Sequence, residues 1–123
     1  MSMAIKGSQP AIPDLVEELK QSAMTYYSAC DDENFRKQKV EVKHTSKIIE
    51  ALDCFGAEGR LALVPLLDDP DQGIRVVAAA FLLKPFPERA IAALEEVRTG
   101  PTYFPRMDAW NFLESYTKGK WRR

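Results

Sequence analysis

The stretch from Ile74 to Leu83 most constrains how this chain can fold, because Arg75 is its only polar side chain. A helix on a protein surface shows one apolar stripe, whereas a helix that is apolar on every face must be covered on every face. The acidic turn Asp68-Asp69-Pro70-Asp71 comes directly before this stretch. We therefore predict a central helix over about 71–84, around which the rest of the chain packs.

The remaining chain also has a helical pattern, since apolar residues recur at steps of three and four and no segment alternates long enough to form a strand. Proline, glycine and acidic residues separate the apolar stripes and predict the helix ends. Pro65 lies inside the third helix and predicts a kink near Leu61. In all, six helices are predicted, at about 13–29, 32–55, 58–67, 71–84, 87–98 and 102–117.

Short connections between six helices favour an all-α fold of three antiparallel hairpins. The hairpins would form a single domain over residues 12–117. Residues 1–11 are small and polar with glycine and proline breaks, which predicts a loose N-terminal arm. Residues 118–123, Lys-Gly-Lys-Trp-Arg-Arg, form a basic tail. Its Trp121 either is exposed or folds back onto the last helix.

Composition and charge exclude several classes of protein. The 17 lysines and arginines nearly balance the 18 acidic residues, so no overall field attracts nucleic acid or an anionic membrane. The longest apolar run, Val76–Leu83, is too short to span a bilayer, and the first residues lack a hydrophobic signal core. Cys30 and Cys54 fall near distant helix ends and predict reduced thiols. We expect a cytoplasmic protein with no membrane partner.

An internal repeat supports the hairpin arrangement. When the chain is shifted by 31 residues, 74–82 falls on 105–113. Four identities then align, Arg75 with Arg106, Ala78 with Ala109, Phe81 with Phe112 and Leu82 with Leu113. A period of this size is typical of stacked helix pairs, in which each hairpin buries its apolar face against the next.

Over residues 57–117 the chain resembles the HEAT-like helical repeats, and its compact size is similar to small bacterial proteins of that type. The resemblance implies three stacked hairpins in a right-handed α-superhelix. It also implies that Asp71 and Arg75 hold adjacent repeats together, although the second copy has Thr102 in place of the aspartate. The matching residues are Leu63, Leu66, Leu67, Asp69, Asp71, Ile74, Arg75, Ala78, Ala79 and Leu82.

No pattern typical of a catalytic or metal site is found in the sequence. The acidic turn does not have the ligand spacing of a calcium loop. His44 is the only histidine and falls on the polar side of the second helix beside Lys43 and Lys47, which predicts a solvated side chain. Glycine-rich phosphate loops and paired-cysteine motifs are absent. We predict neither catalytic residues, nor metal, nor cofactor, and therefore a protein that is not an enzyme.

A row of four basic residues is the best candidate for a binding site. Their spacing places them on one face of the second helix, which lines the concave surface in HEAT-like stacks. The row consists of Arg36, Lys39, Lys43 and Lys47. The leading hypothesis is an interaction module that binds a protein or peptide, with a regulatory role as one version.

Four questions stay open at this point. One alternative is nucleic-acid binding through the row and the tail cations Lys118, Lys120, Arg122 and Arg123. Another is a small-molecule or enzymatic site between hairpins. The sequence also leaves the oligomeric state open. A simpler interpretation of the basic row, as a solvated helix face, stays open too.

Overall fold

The computed structural model describes residues 10–123, and within them helices are joined by turns and loops without any strand, which confirms the all-α fold. The predicted N-terminal arm lies outside the described residues except for positions 10 and 11. A short 3-10 segment, Val64–Asp68, interrupts the series of helices. The six α-helices are α1 (Ile12–Asp31), α2 (Phe35–Asp53), α3 (Ala57–Leu61), α4 (Gln72–Leu82), α5 (Pro87–Arg98) and α6 (Tyr103–Thr117).

Side-chain caps determine where two of the helices begin. The Asn34 side chain accepts a hydrogen bond from the Lys37 N–H at 3.1 Å, so α2 begins at Phe35, three residues later than the acidic run predicts. Asp71 accepts from the Ile74 N–H at 3.0 Å and caps α4. Both contacts satisfy backbone donors that have no partner inside the helix.

The predicted third helix, 58–67, is not one helix. Proline lacks the backbone N–H, and its ring clashes with the carbonyl group four residues earlier. For Pro65 that residue is Leu61, where α3 ends. The chain then continues as the tighter 3-10 segment, so the effect of the proline is a break rather than a kink.

A glycine allows α3 to approach the end of α2. A Cβ atom built on Gly59 would lie 1.9 Å from the carbonyl oxygen of Leu52. No side chain fits at that distance, so this close approach requires glycine. The resulting contact packs α3 against α2, the second helix of the first hairpin.

Helix α4 is central, as its composition predicts. It packs against α1, α5, α6 and the 3-10 segment. Val76, Ala78 and Ala79 have no exposed surface. Because α4 is covered from several sides, its apolar side chains are buried except for Val77, which is partly exposed.

The last residues fold back onto the helices. Trp121 donates from its ring nitrogen to the carbonyl oxygen of Ala80 at 3.0 Å, and its ring lies 4.9 Å from that of Phe112. Arg60 donates to the carbonyl oxygens of Phe81 and Arg123 at 2.9 and 2.7 Å. Trp121 therefore folds back onto the last helix, which was the second of the two expectations.

Two further sequence expectations concern the cysteines and the membrane. Both cysteines are free, Cys30 buried and Cys54 exposed, as predicted. Among the helices of the described chain, none combines the length and apolar character needed to cross a bilayer.

Candidate binding groove

A groove of about 200 Å³ opens between α1, α2, α4 and α6. The second helix of each predicted hairpin contributes to it. Most of the lining is apolar or aromatic, and four charged or polar side chains interrupt it. The lining residues are Ala23, Tyr26, Tyr27, Glu41, Val42, Thr45, Val77, Ala80, Phe81, Asp108, Phe112 and Arg123.

A hydrogen bond between Tyr27 and Asp108 joins α1 to α6 in the wall of this groove. The Tyr27 hydroxyl donates to Asp108 Oδ2 at 2.7 Å. Burial raises the pKa of Asp108, and the hydrogen bond from Tyr27 opposes that shift only in part. Burial and the nearby Asp108 charge also raise the pKa of Tyr27 well above its usual value. The tyrosine therefore stays a donor, and the carboxyl group is held in a mostly apolar surrounding.

Gly73 in the first turn of α4 makes room for the Tyr27 ring. A Cβ atom at this position would lie 2.5 Å from Tyr27 Cδ2. Tyr27 also packs edge-on against Tyr26, with ring centroids 4.9 Å apart. The position of the tyrosine that reaches Asp108 thus depends on a glycine outside the groove.

A second polar network lies at the α1–α2 side of the groove. The Ser22 hydroxyl donates to Glu41 Oε1 at 2.6 Å, and the His44 ring contacts the same oxygen at 3.1 Å. The other His44 nitrogen lies 2.6 Å from Glu18 Oε2. His44 is therefore engaged by two carboxylates, and it is not the free, solvated side chain that its own helix predicts.

The pKa values of this network follow from its contacts. Hydrogen bonds to Glu18 and Glu41 raise the pKa of His44, and burial opposes them. Burial would raise the pKa of Glu41, but the bonds from Ser22 and His44 outweigh it and lower the value. Glu41 is therefore a carboxylate that stays ionised at the edge of the groove.

The first half of α2 contributes no buried residue to the core. The buried residues of α2 are Thr45, Ile48, Ile49 and Leu52, so none lies in 35–44. This half nevertheless contains three apolar side chains. Their exposed fractions are 69% for Phe35, 56% for Val40 and 42% for Val42. This half therefore carries apolar surface that the described core does not cover.

The predicted basic row lies on this exposed half and just beyond it. Arg36, Lys39, Lys43 and Lys47 are all exposed. Phe35, Arg36, Lys39, Val40 and Lys43 line one shallow depression. A second depression, lined by Tyr26, Phe35, Gln38, Lys39, Val42 and Lys43, adjoins the groove. Tyr26 and Val42 line both the groove and this second depression, so the two are continuous.

The two residues of the predicted repeat tie lie away from the groove. Arg75 forms an ion pair with Glu96 of α5 rather than with the acidic turn, and Asp71 is used in the α4 cap. Arg75 thus connects α4 with the following helix. In the second copy, Arg106 donates to the carbonyl oxygen of Gly100 at 3.3 Å and lies 5.6 Å from the Tyr103 ring centroid.

Sequence reasoning missed the two acidic residues of the groove. Asp108 falls opposite Val77 in the repeat alignment, and this change from an apolar to a charged residue is a usable indication. For Glu41 the indication is its place three residues before His44, since side chains at that spacing are neighbours on a helix. Within residues 10–123, no group of three or more potential ligands has the arrangement of a metal site.

The sequence matches no protein-family model and no curated protein. Its fold is similar to the crystal structure of the protein RPA1889 from Rhodopseudomonas palustris CGA009, with a TM-score of 0.85. The match covers 97% of this chain and 98% of that chain at 20% sequence identity. At this identity the likeness concerns the fold alone.

Proposed function

We propose that this protein is a non-catalytic interaction module that binds a protein or peptide segment across the first half of α2 and the adjoining groove. The observation that supports it most is that none of residues 35–44 is buried. Phe35 and Val40 are more than half exposed there. Phe35 and Val42 line one depression together with Tyr26, and a contiguous exposed apolar patch with a polar rim is typical of an interaction site.

The charge of this surface suggests the chemistry of the partner. None of the four cations of the basic row forms an ion pair within the described part of the chain. Charge complementarity favours a partner segment with acidic side chains beside apolar ones. The apolar side chains would contact Phe35 and Val42, and the acidic ones Lys39 and Lys43.

The arrangement favours a protein partner over nucleic acid. The groove separates the basic row from the tail cation Arg123, and Glu41 and Asp108 line that groove. A phosphate backbone that ran from the row to the tail would pass both carboxyl groups, which costs electrostatic energy. An acidic peptide that contacts the row and Val42 does not have to pass Asp108, since it does not continue to the tail.

Three broader statements belong to the same proposal. A cytoplasmic location fits the two free thiols. The leucine, acidic-turn and Ile-Arg pattern of residues 63–82 supports a relationship with small bacterial HEAT-like proteins. In that relationship the groove would correspond to the concave surface.

Selection from a display library of random peptides tests the proposal. We expect the full chain to enrich peptides in which acidic residues flank apolar ones. Double charge reversal of Lys39→Glu and Lys43→Glu should weaken a selected peptide roughly tenfold, because each close charge pair at an interface contributes measurably to affinity. The matched control is Arg89→Glu with Lys84→Glu, which reverses two exposed charges outside both candidate sites.

Two results would contradict this function. One is a selection without acidic enrichment, and the other is equal weakening by the control pair. A labelled oligonucleotide provides the comparison with the alternative. If it binds at low salt, loses affinity steeply with added salt and depends on Lys39 and Lys43, nucleic-acid binding replaces peptide binding.

A further inference from the structure

We propose that the groove itself recognises an organic cation, namely a guanidinium or ammonium group on an apolar stem, with Asp108 and Glu41 as its anionic contacts. This goes beyond the peptide surface proposed above. The residues involved belong to the groove and not to the basic row, so either proposal can fail without the other.

The two carboxyl groups are positioned by bonds that leave them able to accept more. Asp108 accepts from Tyr27 through Oδ2, and Glu41 is bonded through Oε1 to Ser22 and His44. An ionised carboxylate has about four acceptor positions on its two oxygens. Each group is therefore oriented by the protein and retains the capacity to bind a cation.

The rest of the lining suits the apolar part of such a ligand. Tyr26, Phe81 and Phe112 contribute aromatic rings, and Val42 and Val77 contribute aliphatic surface. The face of an aromatic ring attracts a cation held above it. The lining has two carboxyl groups against one cation, Arg123, so its charge favours an added cation over an anion.

The size of the groove limits the ligand. Its volume is about 200 Å³, below the roughly 300–1,000 Å³ of pockets for drug-sized molecules. A single side chain or a small alkyl amine matches this volume better than a cofactor does. We therefore assign the site to one cationic group with a short stem.

The chain places a cation of the same class at this groove. Arg123 is part of the lining, and its guanidinium carbon lies 5.7 Å from the Trp121 ring centroid. Trp121 in turn packs against Phe112 in the groove wall. Arg123 would compete with an added cation, so its replacement by an uncharged residue should strengthen ligand binding.

Two sources could supply the ligand, a free small amine or guanidine and an arginine or lysine side chain of a partner protein. The chemistry recognised is the same in both cases. The probes below separate the two sources, and they include neutral analogues of matched shape.

The first experiment titrates the full chain with n-butylguanidinium and follows the Trp121 indole N–H by NMR. We expect saturable shifts, and none with the neutral n-butylurea. Asp108→Asn and Glu41→Gln should each weaken binding roughly tenfold, because hydrogen bonds to charged groups are the strong ones. Arg123→Gln should strengthen it, and the control Asp14→Asn, an exposed acid of α1, should leave it unchanged.

The second experiment compares two short peptides that are identical except for one arginine replaced by citrulline. Binding of the arginine peptide alone, without binding of n-butylguanidinium, assigns the site to a partner side chain, whereas binding of n-butylguanidinium assigns it to a free ligand. The proposal is overturned if neither guanidinium probe binds, if the neutral analogues bind equally well, or if both carboxamide variants, shown to be folded by their melting curves, bind as the unaltered chain does.

Discussion

Helix α4 and the first half of α2 contain apolar residues for two different reasons. In α4 the apolar residues surround the helix, and Val76, Ala79 and Leu82 have no exposed surface. In residues 35–44 of α2 the apolar residues stand singly between charged ones, and none is buried. The comparison teaches that the distribution of apolar residues around a helix, more than their number, indicates whether they belong to the core.

The two regions should therefore differ in what a substitution changes. Burial in α4 stabilises the fold, since apolar surface removed from water contributes about 25 cal/mol per Å². The exposed half of α2 contributes little of that energy, and its side chains remain available to a partner. Three predictions test this contrast, beginning with the largest expected effect.

Ala79→Asp should unfold the domain or nearly so. Ala79 has no exposed surface, so the new carboxylate would be a buried charge without a partner. Such a change costs on the order of 4 kcal/mol or more, a large part of the stability of a small domain. Thermal melting measures the effect. The matched control is Ala92→Asp at an exposed position of α5, and an equal, small shift for both would show that α4 is not central.

Leu52→Ala and Phe35→Ala compare the two halves of α2 directly. Leu52 is completely buried, and removing its side chain should cost roughly 2–5 kcal/mol in denaturant unfolding. Phe35 is 69% exposed, and its truncation should change stability by about 0.5 kcal/mol or less. A large loss for Phe35→Ala would mean that the first half of α2 is part of the core after all.

His44→Gln should change how stability depends on pH. The pKa of folded His44 is raised above 6.5 by Glu18 and Glu41, so its pairing stabilises the fold fully below pH 6.5. That contribution is lost as the pH rises through the raised value. Denaturant unfolding at a series of pH values should show this decline in the unaltered chain and a smaller one in the variant. Identical slopes would remove His44 as the cause, and no other histidine is present.

The sequence predicted those features that depend on neighbours along one helix. The all-round apolar pattern identified α4 as central, and the spacing of Lys39 and Lys43 placed both on one exposed face. Pro65 was recognised as a disturbance of the third helix. The 3-10 segment that contains Pro65 packs against α4 and α5, and this packing between elements is not visible in the sequence.

Features that depend on packing between helices were not predicted. Tyr27 and Asp108 are 81 positions apart, and only the packing of α1 against α6 brings them together. His44 was predicted to be solvated beside Lys43 and Lys47. Its partner Glu41 lies three residues earlier on the same helix, but its second partner Glu18 lies on α1. The groove is thus a product of tertiary structure, which explains why its acidic residues gave little indication in the sequence.

Gly73 has a consequence for how such a protein can diverge. Its missing side chain lets Tyr27 occupy the place from which the hydroxyl group reaches Asp108. A larger residue at 73 would have to be accompanied by a smaller residue at 27, and the aspartate would then lose its donor. In related sequences we therefore expect positions 27, 73 and 108 to change together. The residue at position 73 would then affect which ligand the groove prefers, although it does not contact the ligand.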